Sequence, residues 1–98
     1  MNERVSIIIP THNRCENLQI ILDSILKSDY RNLEIIVVDN ASTDETAKVM
    51  ASFCGISPFA VHYVKNEDGF NVSEARKKGA DSAKGEYLLF IDDDNRIY

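Results

Sequence analysis

Leu88-Leu89-Phe90-Ile91-Asp92-Asp93-Asp94-Asn95 is an apolar run that leads straight into three carboxylates. A run without polar alternation marks a strand buried on both faces, as in a parallel sheet. Open α/β sheets bind ligands just beyond the C-terminal ends of such strands. Carboxylates gathered there repel one another unless a cation sits among them. They suit a divalent cation held against a phosphate. One stretch thus carries both an architecture and a chemistry.

Three more β-like runs precede it, at residues 5–9, 33–38 and 60–64, with the last at 87–91. Helical runs separate them. In the first, over 14–27, Leu18, Ile21, Leu22, Ile25 and Leu26 recur at the spacing of one buried stripe. Asn13 with Glu16 resembles a capping box at its start. The second follows Ser42, with Glu45 as the same device; Ala47, Met50, Ala51 and Cys54 form its expected inner face, and Gly55 its end. The third, over 72–83, has Asn71 and Glu74 as its cap. Its small inner face of Val72, Ala75, Gly79 and Ala83 permits close approach to a sheet, and Lys84-Gly85 closes it.

Alternating strands and helices with short connections give right-handed βαβ crossovers. The expected fold class is α/β: a Rossmann-like three-layer α/β/α arrangement with a mainly parallel sheet in the order 3-2-1-4. That order brings Pro10-Thr11-His12-Asn13, Asp39 and Asp92-Asp93-Asp94 to one edge. The chain has 98 residues, 44% of them hydrophobic and 28% charged, which is one ordinary globular domain with little area for a second lobe. A net charge of −5 speaks against nucleic acid, whose phosphates demand a basic face. It also means that a bound diphosphate needs local compensation from a metal, a helix N-terminus or a placed arginine. No apolar stretch approaches the ~20 residues that span a bilayer, and the polar start carries no secretory signal. Cys15 and Cys54 lack metal-ligand spacing and read as reduced thiols of a cytoplasmic protein.

The motifs, in order, resemble family 2 glycosyltransferases. The opening is Val5-Ser6-Ile7-Ile8-Ile9-Pro10-Thr11-His12-Asn13-Arg14, and Glu34-Ile35-Ile36-Val37-Val38-Asp39-Asn40-Ala41-Ser42-Thr43-Asp44 resembles the second strand and its acidic loop. Gly69-Phe70-Asn71-Val72-Ser73-Glu74-Ala75-Arg76, Gly79, Gly85-Glu86-Tyr87 and Phe90-Ile91-Asp92-Asp93-Asp94 continue the likeness over nearly the whole chain. The third loop is similar to that of bacterial polysaccharide and chondroitin-type polymerases. The resemblance implies the nucleotide-binding half of a GT-A fold, a nucleotide-sugar donor with UDP as its nucleotide, and Mn2+ or Mg2+ as cofactor. It implies inverting transfer to a saccharide or glycoconjugate acceptor in the full-length enzyme, in the cytoplasm or at the inner membrane face.

On this likeness the nucleotide sugar is bound by Pro10, Thr11, His12, Asn13, Asp39, Arg76, Asp92 and Asp93, and the metal by Asp94. Asp39 either accepts from a uracil imide or ribose hydroxyl, or caps the next helix. Thr11 and Asn13 serve the nucleoside or the turn. Arg76 reaches base or phosphates, or pairs with Glu74 or another acid. His12 stands where the family has Tyr, and stacks on a base or is an exposed ring. Asn40-Ala41 replaces the commoner Asp-Gly, and Lys77 the usual Asn.

No catalytic base is expected in this chain: in the family that carboxylate belongs to the C-terminal half, and His62 and Glu67 sit on the wrong elements. The expectation is an N-terminal donor-binding half, 1–98, with no transferase activity by itself. A second reading is a non-catalytic nucleotide- or partner-binding module of the same fold. A phosphotransfer protein is disfavoured because the Asp-rich strand comes last. An unpaired edge on the fourth strand is expected to invite a homodimer.

Overall fold

The computed structural model describes residues 3–66 and 72–92. The chain runs β1 (Val5–Thr11), α1 (Cys15–Leu26), β2 (Leu33–Asn40), α2 (Thr46–Ile56), β3 (Ala60–Asn66), α3 (Val72–Ser82) and β4 (Tyr87–Phe90). The strands pair in parallel in the order β3-β2-β1-β4, the Rossmann-like order expected of the strand–helix alternation. Alternation along each strand then sorts the core into two layers. Ile7, Ile9, Ile35 and Val37 meet Leu18, Leu22 and Ile25 of α1 and Met50 and Phe53 of α2. Ile8, Ile36 and Val38 meet Ala75 of α3 on the other face.

Pro10 lies inside β1, a central strand, where a missing N–H is usually excluded. The Ile91 N–H donates to the Ile8 carbonyl, so even-numbered residues of β1 turn their backbone toward β4. Pro10 comes next on that side, past the last ladder pair of Ile8 and Phe90, and costs the sheet no rung.

The inner face of α2 is Thr46, Met50 and Phe53, not Ala47, Ala51 and Cys54, which are exposed. Asp44 explains the rotation: its Oδ1 accepts from the Thr46 N–H at 3.0 Å and from the Thr46 hydroxyl at 2.5 Å, so a satisfied threonine turns inward. The helix also passes through Gly55 to Ile56. Neither expected capping box forms, since the N-caps of α1 and α2 are Arg14 and Glu45, and neither makes a side-chain capping bond. Asn71, the expected cap of α3, lies outside the described residues.

The turn after α3 is fixed to the sheet by a buried acid. Glu34 is buried; its Oε2 accepts from the Ser6 hydroxyl at 2.6 Å and the Lys84 amide at 2.8 Å, and its Oε1 bonds His62 Nε2 at 3.0 Å. Burial pushes the Glu34 carboxyl up, but the three donors outweigh it and hold it below its usual range.

β4 departs from the expectation of burial. Tyr87, Leu88, Leu89 and Phe90 are 41–53% exposed. α3 packs mainly on β1 and β2, α1 and α2 pack on the opposite face, and among the described residues nothing covers this edge strand. Both cysteines are free, with Cys54 exposed. Among the described residues no helix is long and apolar enough to cross a membrane.

Candidate functional site

Because the strands are parallel, their C-terminal ends share one edge. Thr11 and Asp39 are partners across β1 and β2, and Asn40 and Asn66 across β2 and β3. The Ile91–Ile8 bond delivers the chain to Asp92 beside them. Pro10, Thr11, His12, Asn13, Asp39 and Asp92 thus come from three segments to one edge of the sheet. Asp93 and Asp94 lie outside the described residues.

Asp39 is 4% exposed. Its Oδ1 accepts from the Ser42 N–H at 2.9 Å, the turn role foreseen for it, and its Oδ2 accepts from the Tyr63 hydroxyl. Each carboxylate oxygen keeps a further acceptor position. Burial, and then the Asp39 carboxylate, push the Tyr63 phenol well above its usual range, so it stays a protonated donor. Asp39 and Asn40 are neighbours that turn to opposite layers: Asp39 to Tyr63 on the α1–α2 side, Asn40 to Asn66 on the α3 side.

The loops after β1 and β2 cap each other. Asn13 Oδ1 accepts from the Thr43 and Asp44 amides at 2.7 and 3.2 Å. In return Asp44 Oδ2 accepts from the Cys15 amide at 3.1 Å, the start of α1, and Ser42 Oγ from the Asn13 amide at 2.9 Å. Burial raises the Asp44 carboxyl, but the Thr46 and Cys15 donors more than reverse this and lower it. This places Asn13 in the turn role, with its amide nitrogen toward His12 Nε2 at 3.3 Å. His12 Nδ1–H donates to the Asn40 carbonyl at 2.5 Å, so its half-buried ring is tethered through both nitrogens. An open groove of about 330 Å³ flanks this junction, lined by Asn13, Arg14, Cys15, Glu16, Asn17 and Asp44. Two carboxylates against one guanidinium make it a poor seat for phosphates.

The cations come from α3. Arg76 Nη2 donates to both oxygens of Asp92, at 3.0 and 3.2 Å, so Asp92 is an acid it pairs with. The side chains are 44% and 38% exposed. A pair this wet is worth at most about 1 kcal/mol, so a ligand phosphate can take the guanidinium cheaply. Lys78 donates to Asn66 Oδ1 at 2.8 Å, and Asn66 Nδ2 to Asn40 Oδ1 at 2.9 Å, which continues a hydrogen-bonded chain to His12. Lys78 and Tyr63 were not foreseen. Tyr63 reads as one more apolar residue of a strand, and Lys78 as one more surface cation. Only the register of β2 and β3 reveals them. Among the described residues no group of three or more His, Cys, Asp or Glu side chains stands ready for a metal. The donor chemistry at the end of β4 is carboxylate oxygen, which suits a hard divalent cation.

The family model for glycosyl transferase family 2 matches residues 6–98. Glycosyltransferase GlyG of Streptococcus pneumoniae is 33% identical over 97 residues, which is 99% of this chain and 32% of that protein. The mannosyltransferase PcManGT from Pyrobaculum calidifontis, in complex with GDP-Man and Mn2+, superposes with a TM-score of 0.89 at 32% identity, over 96% of this chain and 28% of that one. TarS of S. aureus, in complex with UDP-GlcNAc, gives 0.82 at 27% identity, over 93% of this chain and 26% of that one. The chain spans about a third or less of the length of each. The α/β sheet of order β3-β2-β1-β4 is that of these GT-A enzymes.

Proposed function

The chain belongs to glycosyl transferase family 2, and from that membership we propose that it is the donor-binding portion of an enzyme transferring a sugar from a UDP-sugar to an acceptor hydroxyl. The product is a polysaccharide or glycoconjugate, formed with inversion at the sugar carbon. The observation that carries this reading is the meeting, on one sheet edge, of a buried acceptor, Asp39, with a loosely paired guanidinium, Arg76. Asp39 receives a donor group of the nucleoside, beside Pro10, Thr11, His12 and Asn13. Arg76 exchanges Asp92 for the diphosphate or the base, and Asp92, freed, turns to the ribose, with Asp93 beside it. Asp94 holds Mn2+ or Mg2+, which when bound offsets the charge of the departing diphosphate.

No described residue is placed as a base toward an acceptor, since His62 is engaged by Glu34 at the far end of the sheet. Glu67 lies outside the described residues. Donor binding without turnover by the isolated chain remains the proposal, with a non-catalytic module of the same fold as the second reading. The exposed outer edge of the apolar β4 supports a homodimer through that edge; a monomer at high concentration by light scattering would refute it. Free cysteines accord with cytoplasmic work.

Calorimetric titration with UDP, with and without Mn2+, tests the function. Metal-dependent binding that is lost in Asp94→Asn is the expected outcome. No binding under any condition rejects the donor-site reading.

A further inference from the structure

We propose that Tyr63 is a positioning residue that sets donor recognition by holding Asp39 in one orientation; this rests on the reading of Asp39 as the nucleoside acceptor. A carboxylate turns about its last torsion in a broad, roughly two-fold well, so an unrestrained Asp39 presents its free acceptor positions over a range of directions. Here the torsion is held from two sides. The Ser42 N–H takes Oδ1 at 2.9 Å, and the Tyr63 hydroxyl takes Oδ2. Tyr63 is itself anchored: its ring packs against the core between the sheet and α1–α2, and the Lys65 ammonium lies 5.7 Å from its centroid. Both clamps are donors, so what remains of Asp39 is acceptor only. The matching ligand group is an N–H or O–H of the nucleoside, an imide of the base or a hydroxyl of the ribose. A preset carboxylate loses less freedom when that group arrives, and rejects a ligand that lacks it.

The test is a cycle between protein and ligand, on the 98-residue chain with Mn2+ present. The ratio of Kd for 3-methyl-UDP, which has no imide N–H, to Kd for UDP is measured in wild type and in Tyr63→Phe, which keeps the ring. The 2′-deoxy and 3′-deoxy analogues of UDP report on the ribose in the same way. Deleting the recognised donor is expected to weaken wild-type binding roughly tenfold or more. In Tyr63→Phe that discrimination is expected to shrink by roughly threefold to tenfold. A merely structural tyrosine would weaken all the ligands alike and leave the ratio unchanged, which overturns the inference. If Tyr63→Phe does not fold, 3-fluorotyrosine placed at position 63 strengthens the donor instead. It is expected to widen the ratio, and an unchanged ratio again overturns the inference. Wild-type ratios of one for every analogue reject Asp39 as the acceptor, and absence of UDP binding rejects both readings.

Discussion

Ala41 keeps a backbone angle, φ 52°, in the region that glycine occupies freely and a β-carbon resists. Its N–H reaches back to the Asp39 carbonyl at 3.1 Å and the Ser42 N–H to the Asp39 carboxylate at 2.9 Å, so the turn held by Asp39 spans this angle. The strain costs roughly 1–2 kcal/mol. Ala41→Gly removes it while loosening the unfolded chain by about 0.4–1 kcal/mol, and the net expectation is a gain of about 0.5–1 kcal/mol. A raised urea midpoint with an unchanged slope checks it, and a lowered one would mean that the turn carries no strain. Asn13, at φ 50°, meets the same demand with a residue that tolerates it. The pattern Asn40-Ala41 marked in the sequence where a glycine had been replaced. It did not mark that the backbone keeps a glycine's angle, because that depends on what Asp39 bonds.

The helices show how one substitution takes opposite signs in two elements. A β-carbon on Gly79 of α3 would lie 2.3 Å from Ile8 Cγ2 and 3.3 Å from Val38 Cγ2, so Gly79→Ala wedges α3 off the sheet. A cost of about 1–3 kcal/mol is expected from such overpacking. On Gly55 of α2 the same carbon meets nothing within 4 Å, and Gly55→Ala is expected to gain up to about 1 kcal/mol from helix propensity. Thermal unfolding of both variants checks the pair, and equal shifts would show that α3 does not sit as close as described. Close approach of α3 was legible because Ala75, Gly79 and Ala83 repeat on one face. The face of α2 was not: its pattern of Ala47, Met50 and Ala51 is a fair helical stripe until Asp44, outside the helix, satisfies Thr46 and turns Phe53 inward. Caps exchanged between loops about thirty residues apart leave no local signature either.

At the scale of the whole molecule, Glu34 joins β1, β2, β3 and the turn after α3, so its charge state is a property of the assembled sheet. Its folded pKa lies below the ordinary 4.5. Folding is therefore favoured in full above that value, and the contribution is lost as pH falls through the depressed folded value. Asp44 adds in the same direction from its ordinary 3.8. Glu34→Gln faces the Lys84 amide with a donor or a weaker acceptor and is expected to be less stable at pH 7. The gap to wild type is then expected to narrow as the pH falls below 4.5 in urea titrations; a constant gap would mean that the carboxylate charge carries none of it. Parallel pairing was legible from the apolar runs, and the strand order and shared edge from the Rossmann-like strand–helix alternation, whereas this buried acid was not, since Glu34 reads as the polar start of a strand. The turn of Asp39 and Asn40 to opposite layers reaches into descent. Asp39 is held by Ser42 and Tyr63 whereas Arg76 is held by Asp92, so a change among the first partners need not reach the second. On the proposed function, a lineage can change the nucleoside received at Asp39 one mutation at a time while Arg76 keeps the diphosphate.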